Sequence, residues 1–408
     1  MKLSIIICLY NTKKEYLKDC LSSITKSTLN KEDYEILVID DGSTQDYSQL
    51  VEYYKPTYVK TDNRGHLASR LYGLMIAKGE YVAFCDSDDT ASVNYYAPML
   101  KKAIEENCDI VINDWAFHSK NGKAYPKDDI TIKNDLCLEN EEIIKYFTGA
   151  QGKYHSLFVL WNKVYKKSLL LQAKRELEKT DAIMERMGYS EDTLLNFFAY
   201  KNAKKLSNIH TGYYFYRVHD EQSTYIDNCE KRLLSQINSM AKTIKLMKEN
   251  AEVELQEGIC EWGKLMSRVQ YTTAKSLELP QLESVIKEAY GVEVLEVSRP
   301  KDEVGYIANG LLGDNFDVVD SMLYDISKRS GEVSVNYDKR DAYVAGVIEY
   351  MNTQMGKSIK QDKNAVIAIP KRRVSLGQKI FHSKLAYSVG LRLFKKGSKI
   401  RRKLKNKL

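Results

Sequence analysis

HLASRLYGLMIAKGEYVAFCDSDD, residues 66–89, places a helical pattern and a strand pattern side by side. The first half reads as a helix over 66–77 that stops near Gly79. The second half is an apolar run, Tyr81 to Cys85, that ends abruptly in three carboxylates: Asp86, Asp88 and Asp89. A buried strand with that much negative charge at its end leaves the core where a ligand waits.

Working outward, the same alternation recurs. LSIIICL (3–9), YEILVID (34–40), YVKT (58–61) and DIVIND (109–114) read as strands, and 14–27 and 94–107 as helices. Strands separated by helices imply right-handed crossovers and a mostly parallel sheet flanked by helices, an α/β fold. Ligands of such sheets bind beyond the carboxyl ends of the strands. Three strand ends carry polar clusters, YN (10–11), DDGS (40–43) and DSDD (86–89). All three are expected along one edge.

The rest of the chain sets bounds. Its 408 residues suffice for two or three domains. The seven cysteines, at 8, 20, 85, 108, 137, 229 and 260, form no C-x-x-C pair, which reads as reduced thiols rather than a disulfide frame or zinc site. The start, MKLSIIICLYN, has a short apolar run and no small-residue cleavage site, so no secretory signal is expected. No 18-residue apolar stretch occurs, so no membrane span is expected. Residues 371–408 hold 14 Lys or Arg and no Asp or Glu, against 48 basic and 55 acidic residues elsewhere. The division expected is 1–225 as an α/β domain, 226–370 as a mainly helical region without a chemical motif, and 371–408 as a basic tail.

Two aspartates one residue apart at a strand end can hold Mn²⁺ or Mg²⁺, which take carboxylate oxygens together with substrate phosphates and water. Such an ion neutralises a diphosphate leaving group. D-S-D-D is equally good turn and N-cap composition. Context decides between these readings. LSIIICLYN, EILVIDDGST, NRGHLASRLYGLMIAKGEYVAFCDSDD, WNKVYKKSLL, SEDTLL and YYFYRVHDEQST, in this order over residues 1–225, resemble the family 2 glycosyltransferases with a GT-A fold. Cys8 departs from the pattern, which usually has proline there; the position serves through its backbone.

The resemblance implies a role for each matching position. Tyr10 packs on the nucleotide base, Cys8 and Ser87 line the nucleotide, and Asp41 accepts the uracil N3–H. Asn63 and Arg70 lie near base and diphosphate, where a guanidinium can bind phosphate oxygens bidentately. Asp86 faces ribose and metal, Asp88 the metal, and His219 completes the metal site. Asp40 reads as a loop cap, and Asp89 as the cap of the following helix. Asp192 is the general base that takes the acceptor hydroxyl proton in an inverting transfer, with Glu191 supporting it or holding the acceptor. Acids at a helix start are also favoured by the macrodipole alone. Trp161 is a candidate platform for a sugar ring or a core residue, and Arg217 is a candidate for phosphate or acceptor contact.

The function expected is a metal-dependent, inverting transfer from a nucleotide-diphospho-sugar, UDP-linked, to a glycan or lipid-linked glycan in surface polysaccharide synthesis. Two rivals are a sugar nucleotidyltransferase, which LYNTKKEY (9–16) disfavours by lacking a glycine-rich loop, and a non-catalytic scaffold of the same fold. No nucleic-acid module is found, and self-association is left open. In the tail, Leu376, Ile380, Tyr387, Leu391 and Phe394 fall on one helical stripe among basic residues. That pattern predicts docking on an anionic membrane surface, at the cytoplasmic inner face.

Overall fold

The computed structural model describes residues 1–120, 123–126, 132, 135–149, 155–180, 187–219, 230–276 and 279–291. In chain order the elements begin β1 (Leu3–Leu9), α1 (Lys14–Thr25), β2 (Tyr34–Asp40), α2 (Ser48–Tyr54), β3 (Thr57–Lys60), α3 (His66–Ile76) and β4 (Tyr81–Asp86). Next come β5 (Thr90–Ala91), α4 (Tyr96–Glu105), β6 (Ile110–Asn113), β7 (Ala116–Lys120), β8 (Lys123–Pro126), β9 (Cys137–Glu139) and α5 (Glu141–Gly149). The series ends with β10 (Lys163–Lys166), α6 (Lys167–Leu177), α7 (Glu191–Asn202), β11 (Lys205–Ile209), β12 (Tyr214–Arg217), α8 (Glu230–Glu249), α9 (Gln256–Ser276) and α10 (Leu282–Tyr290).

Among the described residues the main sheet has the order β3-β2-β1-β4-β10-β6-β11-β9. β1 lies between β2 and β4, parallel to both, with Cys8 opposite Ile39 and Asp86. Ile5, Ile6 and Ile7 are fully buried, as a strand covered on both faces requires. Each such side chain contributes about 1.5–3 kcal/mol. Helix α3 lies close on this centre because Gly73 has no side chain; a Cβ there would meet Ile6 Cγ2 at 2.6 Å. Gly65, at φ 92°, starts the helix from a turn only glycine adopts easily.

Two features depart from a simple alternating sheet. β10 runs antiparallel between β4 and β6, so residues 161–163 enter the sheet at the edge where those strands leave it. Beyond that edge β6 and β11 lead into β7 and β12, which join β5 and β8 in a second sheet of order β5-β12-β7-β8. Helix α4 starts at Tyr96 rather than 94, because Ser92 engages the Asn94 side chain and the Tyr95 amide in a turn. Met1–Glu296 form one compact unit, and α8 and α9 pack within it. The sequence boundary near 225 falls inside this unit, between β12 and α8. Residues 292–408, with the tail reading, lie outside the described residues.

Candidate active site

The ends of β1 and β2 are stitched together. The Asn11 amide donates to Ser43 Oγ (2.9 Å), and Asn11 Oδ1 accepts from the Thr44 amide (2.8 Å). Asn11 sits at φ 49°, and this turn leaves Tyr10 standing 45% exposed at the strand end, open for stacking on a base. Asp40 is the expected loop cap: Oδ1 accepts from the Ser43 amide at 2.8 Å and Oδ2 from the Tyr58 hydroxyl. Asp41 has a structural duty that the sequence did not reveal. Its two oxygens accept from the amides of Arg64 (2.7 Å) and Gly65 (2.8 Å), and it is 3% exposed. It therefore shapes the loop that carries Asn63 and leads into α3. Cys8 lies beneath, its thiol pushed up to about 12 by burial, and so neutral.

At the end of β4 the three aspartates diverge. Asp88 Oδ2 lies 2.8 Å from His219 Nε2, which brings the two expected metal ligands together. Ser87 Oγ pairs with Thr12 Oγ1 at 2.6 Å. Asp89 does not cap a helix: a short strand follows it, and its Oδ1 accepts from the Arg217 amide at 2.6 Å. It thus ties the main sheet to the second one. Burial, with Asp88 and Asp86 beside it, raises its carboxyl well above the usual range. Arg217 is likewise structural here. Its Nε donates to the Asp88 carbonyl (2.7 Å), its Nη2 to Asp19 (3.0 Å), and its guanidinium lies over the Tyr16 ring.

An oxygen and imidazole set of Asp88 and His219 beside Asp86 suits Mn²⁺ or Mg²⁺ chemically. Among the described residues no three His, Cys, Asp or Glu side chains converge as a cage. A cation at such a set would need substrate phosphates and water to complete its shell.

Arg70 links this edge to the second acidic cluster. It is 7% exposed, with Nη1 2.7 Å from Glu191 Oε1 and Nη2 3.6 Å from Asp86 Oδ1. Burial opposes its charge, but Glu191 and Asp86 outweigh that and hold the guanidinium protonated. Burial would raise Glu191; Arg70 and the His66 imidazole reverse this and hold it below its ordinary value. Asp192, the next residue, has no such partner. Burial and the adjacent Glu191 charge push it up to about 7, against the opposing pull of Arg70. Two neighbouring carboxylates thus divide, one fixed as an anion and one poised near neutrality, where a general base works best.

The segment before β10 braces this helix. Lys163 is fully buried, and its ammonium donates to the carbonyls of Ser156 and Val159 and to Asn162 Oδ1. Asn196 Nδ2 on α7 donates to the carbonyls of Phe158 (2.9 Å) and Val159 (3.1 Å), and Tyr200 donates to that of Leu157 (2.8 Å). Burial pulls Lys163 well below the usual lysine range. Trp161, in the same segment, is not a sugar platform. It is 4% exposed and stacks on Tyr214 at 4.3 Å, because the chain dives into the core to begin β10. Two contributors went unnoticed in the sequence. His66 stands four residues before Arg70, on the same face of α3, a spacing that would have flagged it. Lys163 had no such signal, since a lysine is normally exposed.

The model of the family described as Glycosyl transferase family 2 matches residues 4–170. Residues 4–170 are thus identified as a family 2 glycosyltransferase segment. The family 2 assignment fixes the enzyme class as glycosyltransferase, and the matched segment spans β1 to the start of α6. EpsH of Bacillus subtilis (strain 168) is 28% identical over 257 residues, which cover 62% of this chain and 70% of EpsH. The poly(ribitol-phosphate) beta-glucosyltransferase of Bacillus spizizenii is 30% identical over 226 residues, 53% of this chain and 32% of that protein. The crystal structure of S. aureus TarS 1–349 in complex with UDP-GlcNAc has a TM-score of 0.51 and 21% identity, covering 82% of this chain and 93% of that one. That likeness shows the fold. Asp192 and His219 lie beyond the matched segment, so the family match does not bear on the roles expected of them.

Proposed function

We infer that this family 2 glycosyltransferase moves a sugar, with inversion, from a UDP-linked donor to a glycan or lipid-linked glycan in surface polysaccharide synthesis. One observation carries the reading: Arg70 joins Asp86, at the donor edge, to Glu191, whose neighbour Asp192 is poised near pH 7. Tyr10 supports a stacked base, and the loop set by Asp41 supports its edge. The names of the poly(ribitol-phosphate) beta-glucosyltransferase and of TarS with its UDP-GlcNAc complex agree with a UDP-sugar donor and a polymer acceptor.

In this reading Asp192 takes the proton of the acceptor hydroxyl. The acceptor oxygen bonds to the anomeric carbon, and the bond to the diphosphate breaks on the opposite face. Glu191, locked on Arg70, keeps its charge throughout and holds Asp192 basic. Asp88 and His219, with Asp86, would hold Mn²⁺ or Mg²⁺, which when bound would neutralise the leaving diphosphate. The basic residues 371–408 would bring the enzyme to an anionic inner membrane face; among the described residues no helix is long and apolar enough to cross a membrane. The test is a donor screen across UDP-, GDP- and dTDP-sugars with Mn²⁺, scoring release of free nucleoside diphosphate. Release confined to UDP-sugars supports the reading, and release from the others alone overturns the donor class.

A further inference from the structure

We propose that α8 is a positioning element for the base, with Thr243 its principal residue and Ser239 its second. The proposal rests on Asp192 acting as base. Ser190, immediately before the two carboxylates, has φ 62° and ψ 12°. A non-glycine residue holds that left-handed conformation only where its surroundings enforce it. Serine at a helix start normally turns its hydroxyl onto the first-turn amides. Here it caps nothing. Its Oγ lies instead 2.8 Å from Thr243 Oγ1. Ser190 is 5% exposed and Thr243 fully buried, so neither hydroxyl has ready access to water as an alternative.

A second contact comes from the same face. The Gly188 amide donates to Ser239 Oγ at 3.3 Å. Ser239 and Thr243 are four residues apart, one helical turn. Their neighbours on the buried side of α8 are Leu233, Ile237, Met240, Ile244, Leu246 and Met247, so the two hydroxyls, with Gln236, are polar positions in a mostly apolar face. Both are spent on the three residues that lead into Glu191 and Asp192. Without Thr243 the turn loses the partner that offsets its strain, and Asp192 loses its fixed place beside the Glu191–Arg70 pair. Segment 230–249 lies outside the stretch that matches the family, 4–170.

The experiment uses the full chain and UDP release from UDP-GlcNAc and UDP-glucose into water, with Mn²⁺. Thr243→Val removes the hydroxyl at constant shape. It should lower kcat about tenfold, with donor KM within about twofold, since a displaced base costs rate and not ground-state binding. Thr243→Ser should restore kcat. Ser190→Gly keeps the backbone conformation and loses the hydroxyl; it should also lower kcat, and the double variant should be less than additive. In the ligand-free chain, hydrogen–deuterium exchange over 187–194 should rise in Thr243→Val and return to wild type in Thr243→Ser. Wild-type kcat and exchange in Thr243→Val would overturn the proposal, as would equal losses in kcat and KM that serine does not rescue. Asp192→Asn is measured alongside. If it turns over normally, the base assignment fails and takes this proposal with it. If it is inactive while Thr243→Val is normal, this proposal alone fails.

Discussion

The donor edge and the base turn are both acidic clusters at the same side of the sheet, yet they are held in opposite ways. At the donor edge the carboxylates follow directly from β2 and β4, strands locked in register with β1, so their backbone is fixed even where a side chain such as Asp89 reaches far along the chain to Arg217. At the base turn almost nothing is local. Ser190 is held from residue 243, Glu191 from residue 70, and α7 from the loop braced by Lys163. A strand end fixes its side chains through backbone hydrogen bonds that any sequence can make. A helix start held by side chains depends on each of them. The donor edge should therefore tolerate substitution with loss of ligand, and the base turn with loss of rate.

Arg70, which joins the two regions, is where that contrast breaks first. Arg70→Met leaves Glu191 and Asp86 facing each other unpaired. It should reduce turnover by at least about 10³-fold, and cost about 3–5 kcal/mol of stability, the scale for orphaning a buried charge. Thermal unfolding and UDP release measure both. A variant that loses only one of the two would show that the regions are not coupled through this residue.

Asp192→Asn sharpens the contrast. It should lower kcat about 10²–10⁴-fold while UDP affinity, measured by calorimetry, stays near wild type. It should also stabilise the fold at pH 8. The folded-state value of Asp192, about 7, lies above its ordinary value of 3.8. Folding is therefore unpenalised below about pH 4 and increasingly disfavoured as pH rises through about 7. Asparagine removes that cost, so Tm should rise at pH 8 and change little at pH 4.

On the donor side, Asp88→Ala should remove the metal-dependent part of the rate with little change in Tm, and full wild-type activity in excess EDTA would sink the metal assignment. Asp41→Ala should weaken UDP binding about tenfold, and also cost about 1–3 kcal/mol, because it orphans the amides of Arg64 and Gly65. A loss of stability with unchanged UDP affinity would leave Asp41 as a loop residue only.

The same contrast decides what the sequence made legible. β1, β2 and β4 are continuous apolar runs because both faces of a parallel sheet are covered, so Leu3–Leu9, Tyr34–Asp40 and Tyr81–Asp86 could be read to the residue. The acids at their ends marked the edge. β10 was hidden, because KVYK is four residues long and begins with a lysine whose N–H groups donate to loop carbonyls. Asp89, Trp161 and Arg217 were read by their local surroundings, as a helix cap, a platform or core residue, and a phosphate or acceptor contact. Each is used instead across the chain, by partners 53 to 198 residues away.

The central claim is that Asp192 is a base whose readiness is set by burial and by Glu191, and the pH dependence of kcat tests it most directly. Single-turnover UDP release with saturating UDP-sugar and Mn²⁺ should rise about tenfold per pH unit below neutrality and level off above about pH 7, as the carboxylate form fills. A rate that is flat from pH 5 to 8 in the wild-type enzyme would contradict it.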